Sequence, residues 1–217
     1  MKYGCIFDLD GTLVNSLMDL GLSVNKVLEN HYLPTYSIEE YNFMVGNGVR
    51  KLMERALKQH SDMLEECLKE FYEIYEENCL ENTLPYEGIK ELIERLKAKD
   101  MKLAVVTNKP HHLAVKIVET LFPDTFDAIY GQQDFYPVKP SPESTMYALM
   151  AMRLSKEDCL FVGDSNVDIE TAINTDMESA GVCWGFRGEQ ELIEAGADYI
   201  CYNPDDIERV LFHENRS

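Results

Sequence analysis

Two aspartates, Asp8 and Asp10, close the first apolar segment of the chain, which begins at Cys5. Side chains two residues apart on a strand point to the same face, so the two carboxylates are expected to lie side by side. Carboxylates at this spacing repel each other and hold protons more tightly unless a cation separates them. The pair therefore predicts a positively charged neighbour or a proton at this point of the fold.

Polar side chains also follow the later apolar segments. Thr107 and Asn108 end one predicted strand, Asp164 and Asp168 follow another, and Lys139 lies in the loop after the strand between them. In a parallel sheet with right-handed crossovers, the carboxyl ends of all strands lie at one edge, where ligands bind. These side chains are therefore expected to converge with the first aspartate pair.

Such a convergence favours a site for a hard cation. Several carboxylates with open coordination positions suit Mg²⁺, which completes its octahedron with water and substrate phosphate. No cluster of His or Cys occurs at these strand ends, which argues against zinc. A carboxylate beside such an ion can attack phosphorus, and a second carboxyl can protonate the leaving group and then activate water.

The elements that must position these residues alternate between strand and helix after residue 86. Apolar runs separated by amphipathic helices are typical of a parallel sheet covered by helices. We therefore predict an α/β fold with a Rossmann-like parallel-sheet core and helices on both faces. The predicted strands span residues 3–9, 103–107, 128–130, 159–163, 181–184 and 199–201.

The interval after the first strand breaks this alternation, because it is helical throughout. An apolar helical period runs until Pro34, and Ser37 with Glu40 predicts a capping box for the next helix. A further helix is predicted over residues 62–80. The predicted domains are an inserted all-helical cap, residues 15–84, and a discontinuous catalytic core, residues 1–14 and 85–217.

Composition restricts the partners. The 217 residues carry a formal net charge of -19, which opposes binding to nucleic acid or to an anionic membrane. The six cysteines form no C-x-x-C pair, and no apolar stretch is long enough for a signal peptide or a membrane span. We therefore expect a cytoplasmic protein with reduced thiols; monomer and dimer remain open.

Four ordered segments carry a family resemblance, and together they span the predicted core. The segments are DLDGTLVNS at residues 8–16, VVTNKP at 105–110, VKPSPE at 138–143 and FVGDSNVDIETA at 161–172. They resemble the four motifs of the haloacid dehalogenase superfamily. This resemblance implies that Asp8 is the nucleophile and that Asp10 is the general acid and base.

The same resemblance implies roles at the other strand ends. Thr107 and Asn108 are expected to hold the transferring phosphoryl group, and Lys139 to stabilise its charge. Gly11 and Thr12, which complete the first motif, are further candidate phosphate-binding residues. The expected Mg²⁺ ligands are Asp8, Asp164 with the support of Asp168, and Asp10 through its backbone carbonyl.

The helical insertion resembles the cap domains of that superfamily. Its segment VGNGVRKLMERAL, at residues 45–57, is similar to the corresponding loop and helix of phosphoglycolate phosphatases. Candidate substrate-binding residues are therefore Gly46, Asn47, Gly48 and Arg50, the last for a substrate carboxylate. The plainer alternatives are a helix stop at the glycines and an Arg50 paired with a surface glutamate. No chemical role is expected for His111 and His112.

The resemblance implies an Mg²⁺-dependent phosphomonoester hydrolase acting on a small phosphorylated metabolite, with phosphoglycolate as the first candidate. A phosphosugar mutase, a pyrophosphatase or a nucleotidase would keep every core motif. A dehalogenase on the same fold lacks the second aspartate and needs no metal acids. A receiver-type signalling module uses similar residues, but its accepting aspartate lies on a middle strand and no large cap follows the first.

Overall fold

Strands and helices alternate along most of the chain in the computed structural model, which describes residues 2–212. The strands are β1 (Gly4–Phe7), β2 (Val14–Asn15), β3 (Leu84–Pro85), β4 (Lys102–Pro110), β5 (Ala128–Gln132), β6 (Cys159–Gly163), β7 (Glu178–Val182) and β8 (Tyr199–Cys201). The helices are α1 (Leu17–Asn30), α2 (Val49–Leu57), α3 (Leu64–Asn78), α4 (Ile89–Ala98), α5 (His111–Leu121), α6 (Glu143–Met152), α7 (Asn166–Asn174), α8 (Glu189–Ala195) and α9 (Pro204–Phe212).

Six strands form one sheet in the order β5-β4-β1-β6-β7-β8, and every neighbouring pair is parallel. The predicted α/β class with a parallel-sheet core is therefore confirmed. The prediction for β7 was wrong at its start, because the strand begins at Glu178 rather than at residue 181. Ser179 gives that segment a polar appearance, yet its backbone N–H and hydroxyl both donate to Asp198.

The central strands β1, β4 and β6 are buried on both faces, which explains their continuous apolar sequences. Along β1, Cys5 and Phe7 belong to one hydrophobic cluster with α4, α5 and α9. Ile6 belongs to a second cluster with Phe161, α6 and Ala172 of α7. All four residues of β1 are buried, so the sheet edge where β1 ends is held rigidly between two helical layers.

The insertion between β1 and β4 contains α1, α2 and α3, and its two ends pair as the antiparallel ribbon β2–β3. The predicted capping box is seen in part: Glu40 accepts from the backbone N–H of Ser37, but only a 3₁₀ helix, Glu39–Phe43, follows. One hydrophobic cluster runs from these helices into the layer of α4 and α5. The division into cap (residues 15–84) and core stays a prediction.

Asp19, in the first turn of α1, fastens the far end of the insertion to its beginning. Its side chain is buried and accepts from the backbone N–H of Asn82 and of Thr83, at 2.8–3.0 Å. The Asn82 amide and the Thr83 hydroxyl donate to the same carboxylate. These five hydrogen bonds, two of which share the N–H of Asn82, set the spacing of the two chain segments just inside the β2–β3 ribbon.

Within residues 2–212 no helix has the length and apolarity needed to span a membrane.

We expect Asp19→Ala to lower the free energy of unfolding by about 3 kcal/mol, because buried donors at Asn82 and Thr83 lose their acceptor. Urea denaturation measures the change. Asp62→Ala serves as the control, because Asp62 is exposed. Equal stability of the two variants would contradict a fastening role for Asp19.

Candidate active site

Three carboxylates meet at the carboxyl edge of the sheet. Asp8 directly follows β1, Asp164 follows β6, and Asp168 lies in the first turn of α7. Phe7 and Val162 are register partners in the neighbouring strands β1 and β6, so the acids after them lie side by side. Oxygen atoms of the three side chains lie within 4.8 Å of one another, and all three residues are buried.

Lys139 supplies the positive charge that lies against this cluster. Its ammonium Nζ lies 2.8 Å from Oδ1 of Asp8 and 2.6 Å from Oδ1 of Asp168, with only 2% of the side chain exposed. Burial alone would lower the pKa of Lys139, but Asp168 and Asp8 outweigh it and raise that pKa above its ordinary value. Asn108 fixes the lysine loop, because its side-chain amide bonds both the N–H and the C=O of Lys139.

One ammonium does not neutralise three buried acids. Burial raises the pKa of Asp8 to about 7, with Lys139 opposing the shift and Asp168 adding to it. Burial, followed by repulsion from Asp168 and Asp8, raises the pKa of Asp164 well above its usual range. The cluster therefore favours an additional positive charge, and an all-oxygen donor set suits a hard divalent cation. The residues present fit a metal ion bound mainly by Asp8 and Asp164.

Asp164 is held in place by groups from two segments, one containing Gly11 and Thr12 and the other containing Phe186. Its Oδ2 accepts from the backbone N–H of Phe186 at 2.7 Å, and the Thr12 hydroxyl lies 3.5 Å from its Oδ1. Gly11 packs so closely that a Cβ atom there would lie 2.3 Å from Oδ2, and its φ of +92° also requires glycine. Thr12 is fully buried, and neither it nor Gly11 lines the pocket described below. The structure thus places these two predicted phosphate-binding residues against Asp164 instead.

Asp168 bonds to protein groups through both carboxylate oxygens. Its Oδ2 accepts from the backbone N–H and the hydroxyl of Ser165, forming the capping box of α7, while its Oδ1 accepts from Lys139. The acid therefore serves as a helix cap and as the counter-ion that orients Lys139. This arrangement agrees with a supporting position beside the predicted metal ligands.

The carboxylate of Asp10 turns away from the acid cluster. It accepts from the Ser16 hydroxyl at 2.5 Å and from Lys109 Nζ at 2.9 and 3.1 Å. Sequence analysis assigned no role to Lys109, although the residue lies within the quoted segment VVTNKP. Its position directly after Thr107 and Asn108 was the available signal.

A pocket opens beside these residues. Of the predicted site residues, it brings together Asp8, Asp10, Thr107 and Asn108 with the loop glycines Gly46 and Gly48. The remaining lining residues are Leu20, Val45, Val49, Leu52 and Lys109. The pocket thus has a polar end at the strand termini and an apolar side formed by α1, α2 and the loop before α2.

Arg50 lies outside this pocket, away from the residues with which it was predicted to bind a substrate carboxylate. Its side chain is 54% exposed and pairs with Glu65 at 2.7 Å, as the plainer alternative predicted. Successive helical residues are rotated by about 100°, so Val49 faces the pocket while Arg50 points outward. Asn47 is also turned away from the pocket, because its side-chain oxygen accepts from Arg55.

Two arginines that sequence analysis missed hold the loop before α2. Arg55 donates to the carbonyl of Met44 at 2.6 Å, and Arg187 donates to that of Val45 at 2.9 Å. Arg187 follows β7 in the chain, so this bond joins the insertion to the sheet edge. His111 accepts at Nδ1 from the backbone N–H of Gly131, which is a structural contact, as expected for a residue without a chemical role.

The sheet, the inserted helices and the acid cluster together define a class of hydrolases. A family model described as haloacid dehalogenase-like hydrolase matches residues 5–182. The chain therefore belongs to the haloacid dehalogenase-like hydrolase family. The predicted superfamily and the prediction of an enzyme, a hydrolase, are confirmed, and a receiver-type signalling module is set aside.

Within that family the chain is similar to proteins named phosphoglycolate phosphatase. It is 35% identical to the one from Aquifex aeolicus, over 95% of each chain. It is also 35% identical to the one from Haemophilus influenzae strain 86-028NP, over 94% of this chain and 95% of that protein. A crystal structure from Lactobacillus delbrueckii, provisionally described as a phosphoglycolate phosphatase, superposes with a TM-score of 0.89 at 30% identity, over 97% and 99% of the two chains.

The raised pKa of Asp8 makes stability without metal depend on pH. The folded protein keeps the Asp8 proton up to about pH 7, whereas the ordinary value is 3.8. Folding therefore retains a proton that the unfolded chain has lost, and the free energy of unfolding falls as pH rises towards 7, by roughly 1.4 kcal/mol per unit for this group. We expect Asp8→Asn to flatten this slope.

Urea denaturation in the presence of a metal chelator, from about pH 5 to pH 8, measures both slopes. Saturating Mg²⁺ should raise the stability of the wild-type protein above pH 7 and leave that of Asp8→Asn less affected. Identical slopes for the two proteins would contradict the assigned environment of Asp8.

Proposed function

We propose that the protein is an Mg²⁺-dependent phosphomonoester hydrolase for a small organic phosphate, with phosphoglycolate as the first candidate substrate. One observation carries the proposal. Asp8 belongs to the buried acid cluster and also lines the pocket, beside Thr107 and Asn108 of β4. A nucleophile in a pocket, next to a cation and a predicted metal site, is suited to attack on a phosphorus atom.

Asp8 is the group that attacks the phosphoryl group in this proposal. The substrate ester bond breaks as one Asp8 oxygen bonds to phosphorus, giving an aspartyl-phosphate and the free alcohol. Lys139, 2.8 Å from Asp8, lies where it can bind an oxygen of the transferring group. Thr107 of β4 lines the same pocket, and its hydroxyl supplies a second donor. A divalent cation held by Asp8, Asp164 and the backbone carbonyl of Asp10 would neutralise phosphate charge during this step.

Asp10 is the proton donor and acceptor in this proposal. Its carboxyl lines the pocket two residues after the nucleophile, so it can reach the leaving-group oxygen by turning from Ser16 and Lys109. It gives a proton to the departing alcohol and later takes one from the water that attacks the aspartyl-phosphate. Hydrolysis then releases inorganic phosphate and restores Asp8.

The pocket also supports shielding of the proposed reaction from water. Its apolar side is formed by Leu20, Val49 and Leu52 of the inserted helices, which can exclude water from the strand ends. We propose no nucleic-acid or membrane partner, because the net charge of -19 would repel an anionic surface. All six cysteines are free thiols, which supports the proposed cytoplasmic location.

The first test of this function measures release of inorganic phosphate from a panel of phosphorylated metabolites, with Mg²⁺ and with a chelator. We expect Mg²⁺-dependent turnover of small phosphomonoesters, and loss of turnover in Asp8→Asn by at least about 10⁴-fold. Asp62→Asn, an exposed substitution, is the matched control. Residual turnover of Asp8→Asn near the wild-type rate would contradict the covalent route. Isomerised sugar phosphate without phosphate release would indicate a mutase, and halide release a dehalogenase.

A second test concerns Asp10. We expect Asp10→Asn to slow phosphoenzyme formation and breakdown by about 10²–10⁴-fold, since the amide neither donates nor accepts the required proton. Rapid-quench measurements with labelled substrate separate the two steps. Stabilisation by Mg²⁺ against heat should persist, because only the backbone carbonyl of Asp10 is expected at the metal. Unchanged pre-steady-state rates would remove Asp10 from proton transfer.

A further inference from the structure

Lys109 is a buried cation in the pocket lining that the proposed mechanism does not use as a catalyst. Only 2% of its side chain is exposed, and it extends from β4 two residues after Thr107. Its ammonium donates to both oxygens of Asp10 and, at 2.6 Å, to the phenolic oxygen of Tyr75 in α3. Tyr75 is itself fully buried and stacked on Phe71. The core residue Lys109 is therefore held from the side of the inserted helices.

Burying an ammonium group at this point is costly. Removing a charge from water is only partly offset by a single ion pair, and an apolar side chain of similar volume often packs as well or better. Leu20 and Leu52, which line the same pocket, show that apolar residues suit this environment. The ion pair with Asp10 offsets part of this cost, and a negatively charged ligand in the pocket would offset more of it.

The distribution of charge in the pocket shows what that ligand carries. Among the described residues that line it, Lys109 is the one cationic side chain, and Asp8 and Asp10 are the acids. Lys139 is committed to Asp8 and Asp168 at the phosphate-binding end. An anionic group away from the phosphate would otherwise meet apolar side chains and the loop glycines. Lys109 is thus the cation available to it.

Thr107 and Lys109, both in β4, lie close together in the pocket lining. Lys109 follows Thr107 by two residues, and its backbone N–H donates to the Thr107 hydroxyl at 3.2 Å. Both residues line one pocket, and the strand is irregular between Val106 and Pro110. A molecule whose phosphate lies at Thr107 and whose second charge lies a few bonds away would reach both.

We infer that Lys109 recognises a carboxylate on the leaving group of the substrate, and that Tyr75 positions the Lys109 ammonium for this contact. This inference rests on the proposed function and assigns to Lys109 the role that Arg50 does not fill. An ammonium has three N–H donors, and the structure directs two to Asp10 and one to Tyr75. The substrate carboxylate therefore replaces at least one bond to Asp10, while the bond to Tyr75 can remain. Binding of the correct substrate thereby loosens Asp10 so that its side chain can turn towards the leaving-group oxygen.

The test uses two substrates with two carbon atoms each, 2-phosphoglycolate and 2-hydroxyethyl phosphate. The first carries a carboxylate where the second carries a neutral CH₂OH group. The readout is the ratio of their kcat/KM values, which cancels any loss that both share. We expect the wild-type protein to prefer phosphoglycolate, and Lys109→Met to lower this preference by about 10–100-fold, the range for a buried charged hydrogen bond. Arg50→Met removes an equivalent charge from the exposed face of α2 and should leave the ratio within about 2-fold of wild type.

Tyr75→Phe provides a second variant that removes one hydroxyl and keeps the packing against Phe71. We expect it to lower the same preference by about 3–10-fold, mainly through KM for phosphoglycolate, because the ammonium loses its second fixed partner. A residue with a purely structural role would reduce both substrates alike and leave the ratio unchanged.

Three results would overturn the inference. One is that the wild-type protein hydrolyses both esters without preferring phosphoglycolate. This measurement does not depend on the folding of any variant. The others are an unchanged ratio in Lys109→Met and a loss in Arg50→Met as large as in Lys109→Met. If the wild-type protein releases phosphate from neutral phosphomonoesters alone, the hydrolase function stands and the Lys109 inference fails. If it releases phosphate from no ester, both fail.

Discussion

The arrangement of this protein depends on the repulsion between buried carboxylates that the parallel sheet brings to one edge. Asp8, Asp164 and Asp168 lie within 4.8 Å of one another, and their shared need for positive charge determines what surrounds them. Lys139 meets part of that need by contacting two of the acids. The remaining imbalance raises the pKa values of Asp8 and Asp164, and this is the electrostatic basis of a cation site.

A second buried lysine, Lys109, pairs with a second aspartate, Asp10, in the lining of the pocket. Asp10 and Lys109 are matched one to one, so neither depends on the acid cluster for neutralisation. Two adjacent aspartates thus have separate counter-charges, which allows one to be a nucleophile while the other moves independently. Lys109 contacts Tyr75 of the inserted helices, whereas Lys139 contacts residues that follow strands of the sheet. Of the two ion pairs, the one between Asp10 and Lys109 is therefore the one in contact with the inserted helices.

Sequence reasoning succeeded where topology decides position. The meeting of Asp8, Asp164 and Lys139 could be predicted because the ends of parallel strands share an edge, whatever the side-chain details. Sequence reasoning failed where the direction of a side chain depends on helix rotation or on its pairing partner. A one-residue difference along α2 turns Arg50 to solvent beside Glu65, and no periodicity argument identified its partner. No role could be assigned to Lys109 from the sequence, because its environment includes Tyr75, which is 34 residues away in the chain.

The antiparallel contact between Asn15 and Leu84 makes the entrance and exit of the helical insertion direct neighbours. The insertion is therefore a loop closed by the pairing of its two ends. The entropic cost of closing such a loop grows only slowly with the number of residues inside it. The same base could therefore carry excursions of other lengths and shapes without disturbing the strand order beneath. Exchange of whole inserts, with the residues at the sheet edge retained, is a natural outcome of this architecture.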